Sequence, residues 1–407
     1  MTLKNPILNQ ALRGSLKRLL LVLSMTIPIG GCLAPPALDL SVMSYDRVTT
    51  DLLSQQLLLN IARARHHQPI HFTAVSNIAA TFDFRFNAGA GPAATGSSGG
   101  MLVPTFGGSI AENPTITIVP IEGEEFTKRL LTPIKESMLT LLIEQGADVD
   151  LVLRLIAGEF RSPKQKGSHE VVYHNRPSDP KNYAYFRRIV LHLSSIQDRN
   201  SLYIEPLRFE QHWDFPLSQF TPETLATVEK DYTVELTPDG RHYRLSKIVS
   251  GRVVMSNYDP KTLSNEEKIR LNEWAEVSPE NELIVDIRKE YTGGDFPIEG
   301  NFHLRSLANV IDFVGKSVVE EPEFQVIPDA RTPKTTENPT KTLEIIESED
   351  YPDNTDIAIK FNGLYYAVRP ENGYQWNRGA FTLLHQMFQM TVTELPRAGI
   401  PSLTIAK

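Results

Sequence analysis

The sequence predicts an α+β fold, with β-hairpins and helices interleaved in two or three small units and no transmembrane helix in the mature chain. Three observations carry this expectation. Phe82, Phe84 and Phe86 alternate with Asp83 and Arg85, and Ile116 and Ile118 flank Thr117, a period of two that belongs to strands. Between Tyr45 and Arg65, Val48, Leu52, Leu53, Leu57, Leu58, Ile61 and Ala64 recur at three- and four-residue steps, the period of a helix. Turn signals, Pro238-Asp239-Gly240 and Asn362-Gly363, separate alternating runs.

The chain opens with Lys4, Arg13, Lys17 and Arg18 and no acid before Asp39. An apolar run from Leu19 to Ile27 follows, then Pro28-Ile29-Gly30-Gly31 and the single cysteine, Cys32. A run of about nine residues falls well short of the ~20 that span hydrocarbon as a helix. The order of charge, apolar run and small residues is that of a secretory signal. Ile29-Gly30-Gly31-Cys32 resembles the lipobox of bacterial lipoproteins. That resemblance implies cleavage between Gly31 and Cys32, acylation of Cys32 and loss of residues 1–31. Leu33, where an aspartate would signal retention, implies by the same analogy delivery to the outer membrane. Residues 32–44, with Ala34-Pro35-Pro36-Ala37, read as a stiff lipid-anchored tether.

The next region, 45–160, reads as the helix Tyr45–Arg65, a long β-hairpin and a set of helices from Glu122 to Phe160. Residues 87–113, rich in Gly, Ala and Ser, form a flexible hairpin tip in this reading. Asp148 is placed to cap the last of the helices. A mixed region, 161–327, follows. It begins with a loop to residue 182, continues with a helix Tyr183–Ile196 and a strand Ser201–Ile204, and then a hairpin over 231–257. Ser264-Asn265-Glu266-Glu267 is a capping box opening a helix, and a strand Leu283–Ile287 and a helix Leu304–Val314 complete the region. Residues 328–355 read as a flexible linker, since 328–342 hold three prolines among threonines. The last unit, 356–407, carries strands Asp356–Phe361 and Leu364–Arg369 around Asn362-Gly363. Its helix, Arg378–Met390, gathers Phe381, Leu384 and Phe388 on one side, and a terminal strand lies at Leu403-Thr404-Ile405.

Charge narrows the function classes. Losing the four cations of the signal takes the formal net charge from −8 to −12, which offers no footprint for nucleic acid. With one cysteine there is no intrachain disulfide, so packing must supply the stability.

Candidate chemistry is sparse. His66, His67 and His71 form the densest histidine cluster, but Pro69 separates the i, i+4 pair and no fourth ligand lies nearby. His169-Glu170 opens like a zinc-protease motif, yet position 173 is Tyr and His174 falls one step off the helical face. Gly89-Ala90-Gly91 is followed by Pro92 and a Gly/Ser run, which cannot supply a phosphate-binding helix N-terminus. Adjacent acids (Glu124/Glu125, Glu266/Glu267, Glu320/Glu321) point about 100° apart on a helix and suit a solvated surface. Tyr365, Tyr366, Tyr374 and Trp376 suit the core of a small sheet better than a glycan platform. No catalytic residue, metal site or cofactor is expected.

Several stretches resemble a family of uncharacterised proteobacterial outer-membrane lipoproteins. They are Gln56-Leu57-Leu58-Leu59-Asn60-Ile61-Ala62-Arg63, Pro114-Thr115-Ile116-Thr117, Gly123-Glu124-Glu125-Phe126 and the C-terminal strand, helix and Leu-Thr-Ile ending. The resemblance implies a membrane-anchored, periplasm-facing protein and brings no catalytic residue with it.

The leading expectation is a non-enzymatic lipoprotein of the outer membrane that binds other envelope proteins, held to the membrane by lipid on Cys32. A second expectation is a subunit of an oligomeric envelope or secretion complex donating the 72–119 hairpin, with Phe82, Phe84, Phe86, Ile116 and Ile118 as its apolar face. On this reading the strands alternate cleanly over only five to seven residues, short of the ~10 a membrane-spanning strand needs. A third is an enzyme acting on peptidoglycan or glycan, which would require a cleft with paired carboxylates or histidines.

Overall fold

A computed structural model describes residues 34–92, 102–163 and 170–391. Gly31, Cys32, His169, residues 93–101 of the expected hairpin tip and the strand Leu403-Thr404-Ile405 lie outside the described residues. The chain divides into two units, residues 1–55 and 56–407. Helix α1 runs from Ala34 to Arg65, so residues 34–44 are helical and not a separate stiff tether. Pro35 and Pro36 sit in its first turn, where an N–H has no intrahelical partner to lose. Within the first unit Val48 and Leu52 are exposed, and Arg47 and Asp51 pair at 3.9 Å along the helix. The apolar stripe is buried only further along, at Leu57, Leu58, Ile61 and Ala64 of the second unit.

The second unit is α+β, as the patterning predicts. After hairpin β1 (Phe72–Pro92) and β2 (Leu102–Ile121) come helices α2 (Glu124–Leu131), α3 (Glu136–Glu144) and α4 (Val149–Ile156). The chain then enters strand β3 (Ala157–Ser162), so Phe160 ends no helix. A division at 160/161 would cut through this strand, which pairs with β9 (Ile298–Leu304) and with β4 (Val171–His174) inside the stretch expected as loop. Phe160 is buried at this junction, packing on Phe302 at 5.0 Å between ring centres.

Helix α5 (Pro180–Gln197) is capped by Asp179 and leads to β5 (Tyr203–Pro216). That strand runs well past Ile204, because it pairs along the length of β7 (His242–Ser256). A short helix, α6 (Pro222–Val228), precedes β6 (Thr233–Leu236), which forms the expected hairpin with β7. Ser264 and Glu267 make the expected reciprocal cap on α7 (Asn265–Glu276). Strand β8 (Glu282–Ile287) lies parallel to β7 and antiparallel to β9. The sheet therefore runs β4-β3-β9-β8-β7-β5, with β6 beside β7. Leu304 closes β9, and the helix expected from it starts three residues later as α8 (Leu307–Val319), capped by Ser306.

The last strands are β10 (Ile345–Ser348), β11 (Ala358–Phe361) and β12 (Leu364–Val368), with β12 in the middle. Asn362 and Gly363 both have positive φ, 48° and 87°, as a two-residue hairpin turn requires. Helix α9 (Trp376–Thr391) buries Phe381, Leu384 and Phe388.

The expected linker is the largest correction inside this unit. Residues 328–342 hold no strand or helix, yet Thr342 and Leu343 are buried and their neighbours are tied into the core. Arg154, wholly buried on α4, donates to the carbonyls of Pro339 and Thr340 at 2.8 Å each and to Glu323 at 3.1 Å. Glu323 accepts from the Thr342 N–H and hydroxyl and from Tyr183, while Arg187 bridges Asp150 and Asn338. Trp376 donates its indole N–H to the carbonyls of Lys341 and Thr342. Burial alone would raise the Glu323 carboxyl, but Arg154 beside it and the donors of Thr342 hold it below the usual carboxylate range. Proline- and threonine-rich sequence is held here by side chains instead of by a ladder.

Candidate functional site, a two-stranded hairpin

Strands β1 and β2 pair only with each other, a two-stranded sheet in which no third strand joins among the described residues. They are 21 and 20 residues long, about 65–70 Å at ~3.3 Å per residue. The pairing is unbroken from Asn77↔Thr117 to Pro92↔Leu102, with one irregularity between Val75 and Asn77. Glycine, alanine and serine at 87–92 and 102–113 belong to the strands and not to the tip. Their low intrinsic strand propensity conceals the element from a reading of composition, because it is the cross-strand partner that decides it.

The register defines the faces. Opposed residues of an antiparallel pair share a face, and alternate residues share it along each strand. Even-numbered positions from 78 to 92 and from 102 to 116 therefore form one face. It carries Ile78, Phe82, Phe84, Phe86, Phe106 and Ile110, and Glu112 is its only charged residue. Ile116 and Ile118 follow on β2 in the same alternation, so the five residues expected as an apolar face are brought together by the backbone register. Odd-numbered positions form the opposite face, with Asn77, Asp83, Arg85, Asn87, Thr105 and Asn113. The signal in the sequence is this parity, which extends through the glycine-rich stretch once the register is known.

The root of the hairpin is fixed to the body. On α1, Gln56 Oε1 accepts from the Thr73 N–H at 2.7 Å, and Asn60 receives the His71 N–H and donates to the His71 carbonyl. Asn60 is wholly buried, with both of its amide atoms bonded to the His71 backbone. Arg63 adds a hydrogen bond to the same carbonyl at 3.2 Å. Phe72 is buried against Phe388 of α9 and Phe126 of α2, with ring centres 4.5 and 6.2 Å away. The stretches Gln56–Arg63 and Gly123–Phe126 and the C-terminal helix thus meet where the hairpin begins.

No family model, curated protein or solved structure matches this chain.

The other sequence candidates scatter. His67 takes the left-handed conformation, φ 54°, that closes α1, and faces Glu320 at 3.1 Å. His66 lies 2.8 Å from the Tyr366 hydroxyl, which donates to Glu347. His71 contributes its backbone to Asn60. Among the described residues no group of three or more His, Cys, Asp or Glu side chains is placed to hold a metal ion. Gly89-Ala90-Gly91 lies inside β1 and opens no helix. Tyr366 and Trp376 are buried, Tyr365 packs on Tyr351, and Tyr374 is exposed, so the aromatic residues form no common platform.

A cleft of ≈ 420 Å³ opens beside β3, β4, β9 and α8. In it Glu159 pairs with His174 at 3.1 Å and Asp312 with Lys316 at 2.7 Å. Arg305 is buried there and spends its donors on the carbonyls of Arg154, Leu155 and Asn175. Burial lowers its guanidinium to about 9, against the opposing pull of Glu323 and Asp312, which leaves it charged at neutral pH. Among the described residues that line the cleft, none is a serine, threonine or cysteine. Among the described residues no helix is long and apolar enough to cross a membrane, which says nothing of strands.

Proposed function

We propose that this chain is a lipid-anchored lipoprotein of the outer membrane, facing the periplasm, that works without catalysis as a binding subunit of an envelope assembly. The hairpin β1–β2 is its binding element. One observation supports this reading above the others: among the described residues, some 20 residues of paired strand have no strand partner on either outer edge. An isolated two-stranded sheet is marginal in water, and an open edge is a template for another chain. The charge pattern before Cys32 supports the anchor, because stable attachment by lipid follows from multiple acylation.

Two measurements test the two halves. Radiolabelled palmitate should enter the wild-type protein and not the Cys32→Ala variant; a wild-type chain that takes up no label overturns the anchor. A photo-reactive residue placed at Thr81 or Thr105 in living cells should give protein adducts. Absence of adducts at both positions overturns the hairpin as binding element.

A further inference from the structure

We infer that the partner at both edges is another copy of this chain, and that copies join edge to edge into a membrane-spanning β-barrel, each giving two strands. The inference rests on the hairpin being the binding element, and four features of the molecule lead from that element to the barrel.

The two edges are unlike. The outer edge of β1 is free of proline from Phe72 to Gly91, whereas β2 carries Pro104, Pro114 and Pro120. Each proline removes a donor, so β1 of one copy against β2 of the next is a different contact from β1 against β1. Such a head-to-tail contact repeats, and closes into a ring when the rotation allows. It also continues the antiparallel order and gives an even number of strands for any number of copies, as bacterial outer-membrane barrels have. The smallest such barrels have eight strands, so about four copies is the lower bound.

The faces are divided as a bilayer divides them. Strands of membrane barrels alternate apolar and polar positions, with the apolar set against lipid and the polar set toward the lumen. Along sixteen consecutive pairs the even-numbered face of this hairpin is apolar or small except for Glu112, and the odd-numbered face polar or small except for Val103. A foreign peptide added to one edge would leave the whole apolar face in water. The barrel covers it.

The length fits. From Phe84 to Pro92 and from Leu102 to Ile110 the apolar face is uninterrupted, nine residues on each strand. A tilted membrane strand needs ~9–11 residues. At ~3.3 Å per residue and a tilt of ~40°, the segment covers about 23 Å of an apolar band that is ~25 Å tall. Glu112, opposite Phe82, then falls at the rim, where aromatic residues gather in such barrels and a charge can reach water.

The root is prepared to hold the strands while the remainder stays unpaired. Gln56, Asn60, Arg63 and Phe72 fix the first residues of the hairpin, and among the described residues β1 and β2 join neither of the other two sheets.

The test uses the full-length lipidated protein inserted into phosphatidylethanolamine–phosphatidylglycerol vesicles. Single cysteines are introduced by Phe84→Cys, Arg85→Cys, Phe86→Cys, Asn87→Cys, Ala88→Cys and Gly89→Cys, and each is labelled with an environment-sensitive dye. A nitroxide lipid should quench the dye at 84, 86 and 88, and aqueous iodide should quench it at 85, 87 and 89. The mass of the unlabelled wild-type complex in nanodiscs should be a multiple of the chain mass. Quenching by iodide at every position, with a monomeric mass, overturns the barrel while leaving a lipid anchor and open edges intact. Even positions shielded from iodide but untouched by the nitroxide lipid indicate hairpins packed face to face in water, which also overturns it. In-cell adducts at Thr81 or Thr105 to a different protein alone do the same. The wild-type chain, taken through the same labelling, separates the two readings: dye uptake at Cys32 means the anchor has failed, whatever the hairpin does.

Discussion

The hairpin and the segment 320–343 invert what their compositions suggest. The segment is rich in proline and threonine and has no regular structure, yet its stretch 338–342 is bonded by buried side chains: Arg154, Arg187, Glu323 and Trp376. The hairpin is regular over 20 residues, yet half of its backbone hydrogen-bonding capacity faces no described strand. Order in the first comes from satisfied donors and acceptors. Regularity in the second is left incomplete, and what is missing is another edge.

The largest effect expected from breaking this contrast is at Glu323. Replacing it by Ala leaves the buried Arg154 guanidinium with only the longer, 3.9 Å contact to the Asp150 carboxylate, which should cost about 3–5 kcal/mol in denaturant unfolding. The same pair gives a pH signature. The folded pKa of Glu323 is lowered, so its stabilisation is complete above the ordinary glutamate value near ~4.3 and is lost as pH falls through the folded value. Acid titration of wild type against Glu323→Gln should show that loss only in the wild type.

A smaller effect of opposite sign is expected at Asp148, the cap of α4. Burial, with Asp150 close by, raises its carboxyl to about 6. Between about pH 4 and 6 the folded state then holds a proton that the unfolded state has released, so stability declines as pH rises through that window. Asp148→Asn keeps the bond from the Asp150 N–H and removes the charge. It should gain roughly 1–2 kcal/mol at pH 7 and flatten the profile between pH 4 and 6, measured by thermal unfolding across that range.

The smallest effect on the body is expected from removing the hairpin. Replacing residues 77–117 by an Asn-Gly turn keeps the root pairs Phe72↔Ile121 to Val75↔Ile118. Because among the described residues β1 and β2 pair with no other strand, denaturant stability of the body should change by no more than about 0.5 kcal/mol. A loss of several kcal/mol would mean the hairpin is part of the core and the contrast is false.

How much of this is legible in the sequence follows the reach of each interaction. Local signals read well: the Ser264 and Glu267 cap, the Asn362-Gly363 turn, the 180–197 helix and the alternation at Phe82–Phe86 all depend on neighbours in the chain. Non-local pairing does not. Strand β9 and the far part of β5 are completed by strands remote in sequence, β3 and β7, which no local signal announces. The segment 328–342 fails for a related reason, since its partners on α4, α5 and α9 are remote in sequence. The hairpin was visible as an element but not in its extent, because glycine and alanine hide an alternation that only the register restores. The residues Cys32 and Gly31 remain a reading of sequence, outside the described residues.

Residue-resolved hydrogen exchange over 73–91 and 103–119 tests the central claim most directly. In a free antiparallel hairpin only the amides directed at the partner strand are bonded, so every second amide of each strand exchanges quickly. In the full-length protein before insertion that alternation should appear along both strands. After assembly in vesicles the fast set should become as slow as its neighbours, as it does when both edges are paired. If the fast alternate amides persist in the vesicle-bound protein, the edges are still open and the account is wrong.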